Sequence, residues 1–525
     1  MTIVLLRRPA RKAPQKSESS HMSFANLFRS AIVVAACAAS AGLLIHPTNA
    51  HAAASVLRVG LQADISSFDP TRLNLGTAVT NGLLFNTLIY LDEKGTPHAE
   101  LAKSWTFSPD GKTLTLNLVD NATFADGRKM TSKDVAFSLD YAGTPAVGAN
   151  ILPFTKLVEK VETPDDRTVV LHVNGSQRAL YDLLDLLYVL DSEHPKDIHT
   201  KGTGTGPYKL ASYEPGQSAT FVRNENYWGE KPAIPRIEVK VLPDAQSAIA
   251  QLRAGAIDFL PSISRQDSQQ LAGSTFKTGI ASAEAYAFDV GINVAKPPFD
   301  NPEVRKAISL SLDRQRIATE IGGDGSIVKC LPWTVRDTAE SAGLQDSCKY
   351  DPTAAKALID KAGANGATAE ILSSGQSAPE LGTLAQIMQS SFAQIGLNAK
   401  ITDLSGTAFV AQFRKSQFQL TSHSYGRAGR SPAALLLSAV VFWSNGNVMG
   451  VKSTSYADDV KTVVSSPVAN ADTAAAWKRI DEFMLSDNWV LPLATQPLRW
   501  ASSPKLDGLQ FTLDGSPVFD KAILN

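Results

Sequence analysis

The 525-residue chain contains only three cysteines, Cys37, Cys330 and Cys348, too few for a disulfide-built scaffold and without the Cys-x-x-Cys pairs of a zinc ribbon. The common catalytic signatures are missing as well: no Gly-x-Ser-x-Gly, His-Glu-x-x-His or Walker A sequence occurs. The nearest thing to a phosphate loop, Gly202-Thr203-Gly204-Thr205-Gly206-Pro207, runs through a proline into the strand-like Tyr208-Lys209-Leu210 instead of opening a helix, so it reads as a strand-entry turn. His98, His172, His194, His199 and His423 are scattered. The one close pair, His194 and His199, is interrupted by Pro195 and lacks a third ligand, the pattern of a solvated loop. Positive charge is not in excess, since 50 basic residues meet 51 acidic ones, which argues against a nucleic-acid-binding face. The sequence therefore assigns no catalytic residue, no metal and no cofactor.

What is present is a globular composition, 44% hydrophobic and 19% charged, at a length that calls for two or three domains or subdomains woven from separate segments. The N-terminus reads as an export leader. Basic residues from Arg7 to Lys16, and Arg29, precede an apolar run from Ala31 to Ile45 that is too short to span a bilayer comfortably, followed by Ala50-His51-Ala52, a site for cleavage after Ala52. Translation from Met22 would still leave a short basic region, so the start stays open. Cys37 loosely fits a lipoprotein site, but cleavage there would leave Leu43-Leu44-Ile45 and the Ala50-His51-Ala52 site unexplained. Without residues 1–52 the chain loses six basic residues and one acidic residue, leaving 44 basic and 50 acidic, a net charge of −6. Cys330 and Cys348 then remain as an even pair in an oxidising compartment, which favours a disulfide over two buried thiols.

Along the remaining chain strands alternate with helices, without internal repeats. Val56 to Gln62 reads as a strand and Thr77 to Leu91 as a helix. Ser104–Ser108 and Thr113–Leu118, split by Asp110-Gly111, read as a hairpin. Thr131-Ser132-Lys133-Asp134 is a helix-start signal. Thr168–Val173, Tyr208–Leu210 with Ser218–Arg223, Ile257–Leu260 and Tyr286–Ile292 read as strands. Helices are expected at Ala245–Ala254, around Val304–Leu312, and at Pro352–Ala362, Glu380–Ile395 and Asp472–Leu485.

Several segments, in order and at consistent spacing, resemble the family 5 solute-binding proteins of ABC importers. They are Ser67-Phe68-Asp69-Pro70; Leu101-Ala102-Lys103-Ser104-Trp105 with Asp110-Gly111; Phe124-Ala125-Asp126-Gly127 with Thr131 and Asp134-Val135; and Gly204-Thr205-Gly206-Pro207-Tyr208. Further on come Arg223-Asn224 with Tyr227-Trp228-Gly229, and Pro298-Phe299-Asp300 with Val304-Arg305-Lys306-Ala307. The resemblance covers nearly the whole chain after the leader. It implies an α/β fold, a two-lobed periplasmic binding protein of type II (cluster C) with an extra subdomain in the N-terminal lobe. The implied layout is a signal peptide over 1–52, lobe I over 53–85, 204–292 and 490–525, the extra subdomain over 86–203, and lobe II over 293–489. It also implies a monomeric periplasmic receptor, without enzymatic activity, that closes on a small polar ligand and serves a permease with its ATPase subunits. A periplasmic hydrolase, or a binding module without a transporter, would be the rivals from other classes.

The chain departs from the pattern where ligands are held. Peptide-binding relatives carry an acid for the peptide ammonium in the stretch corresponding to Ser424-Tyr425-Gly426-Arg427-Ala428-Gly429-Arg430-Ser431-Pro432, and here Ala428 takes its place between two arginines. A buried ammonium without a counter-charge is costly, whereas guanidinium forks suit carboxylate or phosphate, so Arg427 and Arg430 point to an anionic group on the ligand. A peptide receptor with another ammonium partner is the alternative. Tyr425, Asn74, Thr77, Trp333, Trp443 and Trp500 complete the expected ligand-binding set.

Overall fold

The computed structural model describes residues 56–525 except 73–74, 334–342 and 345–346, and gives the backbone alone at residue 75. The expected leader, its cleavage site, Cys37 and Asn74 lie outside the described residues.

Fourteen strands form the two main sheets: β1 (Leu57–Leu61), β2 (Ala102–Phe107), β3 (Thr113–Leu118), β4 (Val158–Asp165), β5 (Thr168–Val173), β6 (Tyr208–Glu214) and β7 (Ser218–Arg223), then β8 (Arg236–Val241), β9 (Phe259–Ile263), β10 (Lys277–Ile292), β11 (Thr368–Ser373), β12 (Asn398–Asp403), β13 (Leu420–Gly426) and β14 (Val490–Ser502). The larger sheet has ten strands in the order β12-β11-β13-β10-β14-β9-β1-β8-β7-β6. Its two halves are tied by β10 and β14, long antiparallel partners whose register slips between Ile280 and Ser282, again between Ser282 and Tyr286, and between Phe288 and Asp289. The smaller sheet, β2-β3-β5-β4, is a separate antiparallel layer. An α/β class with two halves and an added body is thus what the chain adopts.

Local chemistry explains the elements. In β3, Leu114, Leu116 and Leu118 are buried while the residues between them are half-buried, the period of a one-sided sheet. Gly111, at φ 69°, makes the hairpin turn. The backbone N–H of Thr131 donates to Asp134 Oδ2 at 2.8 Å and starts the helix Ser132–Gly143. Gly204 and Gly206 lie so close to the backbone of Leu84 that an added Cβ would come within 2.1 Å and 2.4 Å of it. That contact, not phosphate binding, accounts for the glycine-rich turn.

Two expected boundaries shift. The helix expected over Thr77–Leu91 runs over Leu75–Leu84, and Ile89–Leu91 is a short strand. Apolar residues continue through the break, but Thr87 gives its N–H and hydroxyl to Glu100, which takes the chain out of the helix. The strand expected at Tyr286–Ile292 begins nine residues earlier, at Lys277, where it pairs with Ser502; this first part is mostly half-buried and carries no alternation to read.

Three larger apolar cores follow this layout. One lies under β1, β7, β8 and β9, with Val59, Phe221, Val239 and Phe259. A second fills the other half, with Val290, Ile308, Ile371, Leu384 and Phe392. The third is continuous from the four-stranded body, with Leu116, Leu180 and Leu184, into Leu435, Val463 and Trp489. The Cys330–Cys348 disulfide forms, with Cα atoms 5.6 Å apart, and closes a local loop.

Candidate functional site

A cavity of about 1150 Å³ lies where the two halves of the large sheet face each other. One wall comes from the end of β1 (Gly60 to Asp64), from Ala78 and Val79, from Pro261 and Ser262, and from Ser516 and Pro517. The opposite wall comes from the end of β13 (His423 to Arg427), from Gly406, Thr407 and Val410, and from Ser438 to Val441. Asn150, from the four-stranded body, reaches the same space. Strand ends facing one another across a hinge of long strands are the usual setting for an enclosed small ligand.

Of the expected residues, Tyr425 and Arg427 line this cavity. Tyr425 is held on both sides: its hydroxyl donates to the carbonyl of Pro332 at 3.0 Å and its ring meets Phe442 edge-on at 5.1 Å. Burial pushes its phenol well above the usual range, so it stays protonated and serves as a rigid wall. Arg427 has a left-handed backbone, φ 63°, fixed by its N–H bond to Ala285 O at 2.8 Å. Its guanidinium stands over the ring of Phe154 at 5.8 Å. Among the described residues no carboxylate pairs with it, and burial lowers its pKa, with Asp514 opposing that shift. It is a half-buried cation with donors to spare.

Arg430 corrects the expectation that both arginines face a ligand. It is 2% exposed, stands in the wall of a second cavity and not of this one, and has four of its five N–H donors in ion pairs. Nη1 donates to Asp182 at 3.1 Å, Nη2 to Asp185 at 2.6 Å and to Asp514 at 2.7 Å, and Nε to Asp514 at 2.9 Å. The other corrections follow from packing. Thr77 is fully buried in its helix, with its hydroxyl on Arg72 O, and its neighbours Ala78 and Val79 face the cavity instead. Trp333 is a core residue, edge-on to Trp477 at 5.4 Å. Trp500 is sandwiched near Phe511 and Phe259, against Gly279. Trp443 is 37% exposed in a separate surface groove, its indole N–H on Leu437 O.

Other residues join the wall without having been expected there. His423 is oriented by the buried Asp289, whose Oδ2 lies 3.1 Å from Nδ1, and stacks on Phe413 at 4.8 Å. The two sit directly opposite on paired strands, a fact invisible until the register of β10 on β13 is known. Tyr286 and Asp514 also border the cavity. A second cavity of about 810 Å³ adjoins the first through Asn150, Arg427, Asp514 and Ser516. Desolvation raises two acids in its wall, Glu100 to about 7 and Asp520 to about 6. His194, read as part of a solvated loop, meets Asp191 at 2.9 Å and Asp126 at 3.7 Å. Arg128 holds the same Asp191 at 2.5 Å, so this is an ion-pair network at the edge of the four-stranded body.

With this geometry in view, comparison with known proteins decides the class. The sequence profile described as "Bacterial extracellular solute-binding proteins, family 5 Middle" matches residues 96–447, more than half of the chain. The chain belongs to this family. Among curated relatives, a putative ABC transporter peptide-binding protein of Brucella ovis is 29% identical over 328 residues, covering 59% of this chain and 61% of the relative. The chain thus spans about three fifths of the first such relatives. The glutathione-binding protein GsiB of Salmonella typhi is 25% identical over 498 residues, covering 90% and 95%. The same fold occurs in NikA of Brucella suis in complex with Fe(III)-EDTA, with a TM-score of 0.80 at 21% identity, covering 90% of this chain and 100% of that one. It occurs too in AgaA of A. tumefaciens R10 in complex with agropinic acid, with a TM-score of 0.76 at 20% identity, covering 90% and 99%. Among the described residues no helix is long and apolar enough to cross a membrane.

Proposed function

We propose that this family 5 protein is the periplasmic receptor of an ABC importer, working as a monomer without turnover, and that it captures a small polar ligand through a carboxylate or other anionic group held by Arg427. The receptor would close its halves on the ligand about β10 and β14, and a permease with its ATPase subunits would read the closed shape. The observation that carries the ligand class is the guanidinium of Arg427, in the cavity wall and without a carboxylate partner among the described residues. Arg427 is half-buried and desolvation lowers its pKa, a cost that the anionic group of a ligand would relieve. Tyr425, His423 and Tyr286 would supply flat walls and hydrogen-bonding edges around it.

A second reading has one observation in its favour. Asp514 borders both cavities, and its carboxylate retains acceptor capacity beyond the bonds from Arg430. It could take the ammonium of a peptide in place of the acid that Ala428 replaces.

The two readings separate in a thermal-melt screen of the chain from Ala53 onward, stripped and refolded, against sugar acids, opines, amino-acid conjugates, phosphate esters and di- and tripeptides. A ligand at a hundredfold excess over its Kd stabilises by about 2.7 kcal/mol. Stabilisation by acids that disappears in Arg427→Ala supports the anionic reading. Stabilisation by free peptides that survives Arg427→Ala but disappears in Asp514→Asn supports the second and overturns the first.

A further inference from the structure

Arg430 leaves β13 at the start of the helix Pro432–Ser438 and inserts its guanidinium among three carboxylates that belong to other parts of the chain. Asp182 and Asp185 stand on the helix Gln177–Leu186 of the four-stranded body, and Asp514 lies in the C-terminal segment that crosses back to the first half of the large sheet. The next residue, Ser431, adds a hydroxyl bond to Asp182 at 2.5 Å. Beside these contacts, the backbone N–H of Ser176 donates to Val464 O at 2.9 Å, and Leu180 and Leu184 share a core with Leu435 and Leu436. Three bodies therefore meet at one side chain, in the wall of the second cavity.

We propose that Arg430 is a clasp, a positioning residue that holds the far half of the molecule against the four-stranded body and so sets how much of the ligand-free protein is closed. The charge balance makes the clasp reversible. A single guanidinium faces three carboxylates, of which Asp514 keeps part of its exposure, so its attraction holds the assembly while the surplus negative charge opposes it. Asp514 is shared with the cavity wall, which couples the clasp to the space where Arg427 sits. A receptor held partly closed binds with an apparent affinity scaled by its competent fraction, so loosening the clasp weakens binding without touching a ligand contact. The clasp stands independently of which ligand Arg427 selects.

The test uses the ligand-free chain from Ala53 onward, comparing wild type with Arg430→Met, Arg430→Lys and Asp185→Asn by small-angle X-ray scattering and amide hydrogen exchange. The clasp predicts a larger radius of gyration for Arg430→Met and exchange that accelerates at least tenfold more in Gln177–Leu186 and Pro432–Ser438 than in β10 and β14. Arg430→Lys, which keeps the charge but cannot reach all three acids, should fall between it and wild type. Asp185→Asn should shift both readouts in the same direction by less, and it stands in for Arg430→Met should that variant fail to fold. An unchanged radius together with unchanged exchange, or exchange that accelerates equally throughout the chain, overturns the proposal: Arg430 would then be only a packing residue.

Discussion

Arg427 and Arg430 stand three positions apart on the same connection, yet they have opposite surroundings. Arg430 is enclosed by Asp182, Asp185 and Asp514, and although burial alone would lower its pKa, these carboxylates raise it well above the usual value. Arg427 is only half-buried, yet desolvation outweighs the more distant Asp514 and Asp182, and its pKa is lowered. A guanidinium with its counter-charges built in is a structural part, and the proposed function rests on Arg427 lacking them. The difference arises because the helix Gln177–Leu186 brings two acids to one arginine and none to the other.

The largest effect should come from breaking the satisfied arginine. Arg430→Met leaves the buried Asp182 and the half-buried Asp185 and Asp514 without their cation and should cost about 3–5 kcal/mol by denaturant unfolding. A loss below about 1 kcal/mol would mean that the carboxylates find other partners and that the contrast between the arginines is overstated. The Cys330–Cys348 bridge, outside both sites, gives a reference: replacing both cysteines with serine should cost about 3 kcal/mol on the chain-entropy model, without changing any ligand-induced shift.

A smaller effect is a pH dependence in the second cavity. Burial raises Glu100 to about 7, above its unfolded value, so its contribution to stability is complete below the ordinary carboxylate range and is lost as pH rises toward and through 7. Glu100→Gln should flatten the decline of melting temperature between about pH 5 and 8; an identical slope in the variant would mean that another group carries it. The smallest effect sharpens the comparison most. Arg427→Ala should change ligand-free stability by less than about 0.5 kcal/mol, or raise it, because the native cation has no carboxylate to lose and stands 5.8 Å from the Phe154 ring. A loss comparable to that of Arg430→Met would show that Arg427 is structural as well.

Much of the fold was legible because local rules decide it. The hairpin at Asp110-Gly111, the helix start at Thr131 to Asp134 and the Tyr208 and Ser218 strands rest on turn chemistry and periodicity, which neighbours in space do not override. The site was legible only where the chain itself carries it. Tyr425 and Arg427 share one segment with a readable departure from the family pattern, so both could be placed. Arg430 has the same residue type in the same segment, and only its partners, 248 and 84 positions away, set its role. His423 with Asp289, and Asp514 at the rim, depend on strand register and on the C-terminal return, which no local pattern encodes. Trp333 and Trp500 went to cores because large apolar area, not function, most often decides where an aromatic ring lies.

The most direct measurement is native mass spectrometry of the chain purified gently enough to keep what it carries, wild type beside Arg427→Ala. The account predicts an adduct on wild type that fragments as a compound with a carboxylate or another acidic group, and its loss in the variant. A neutral or purely cationic adduct, retained equally by both proteins, would contradict it.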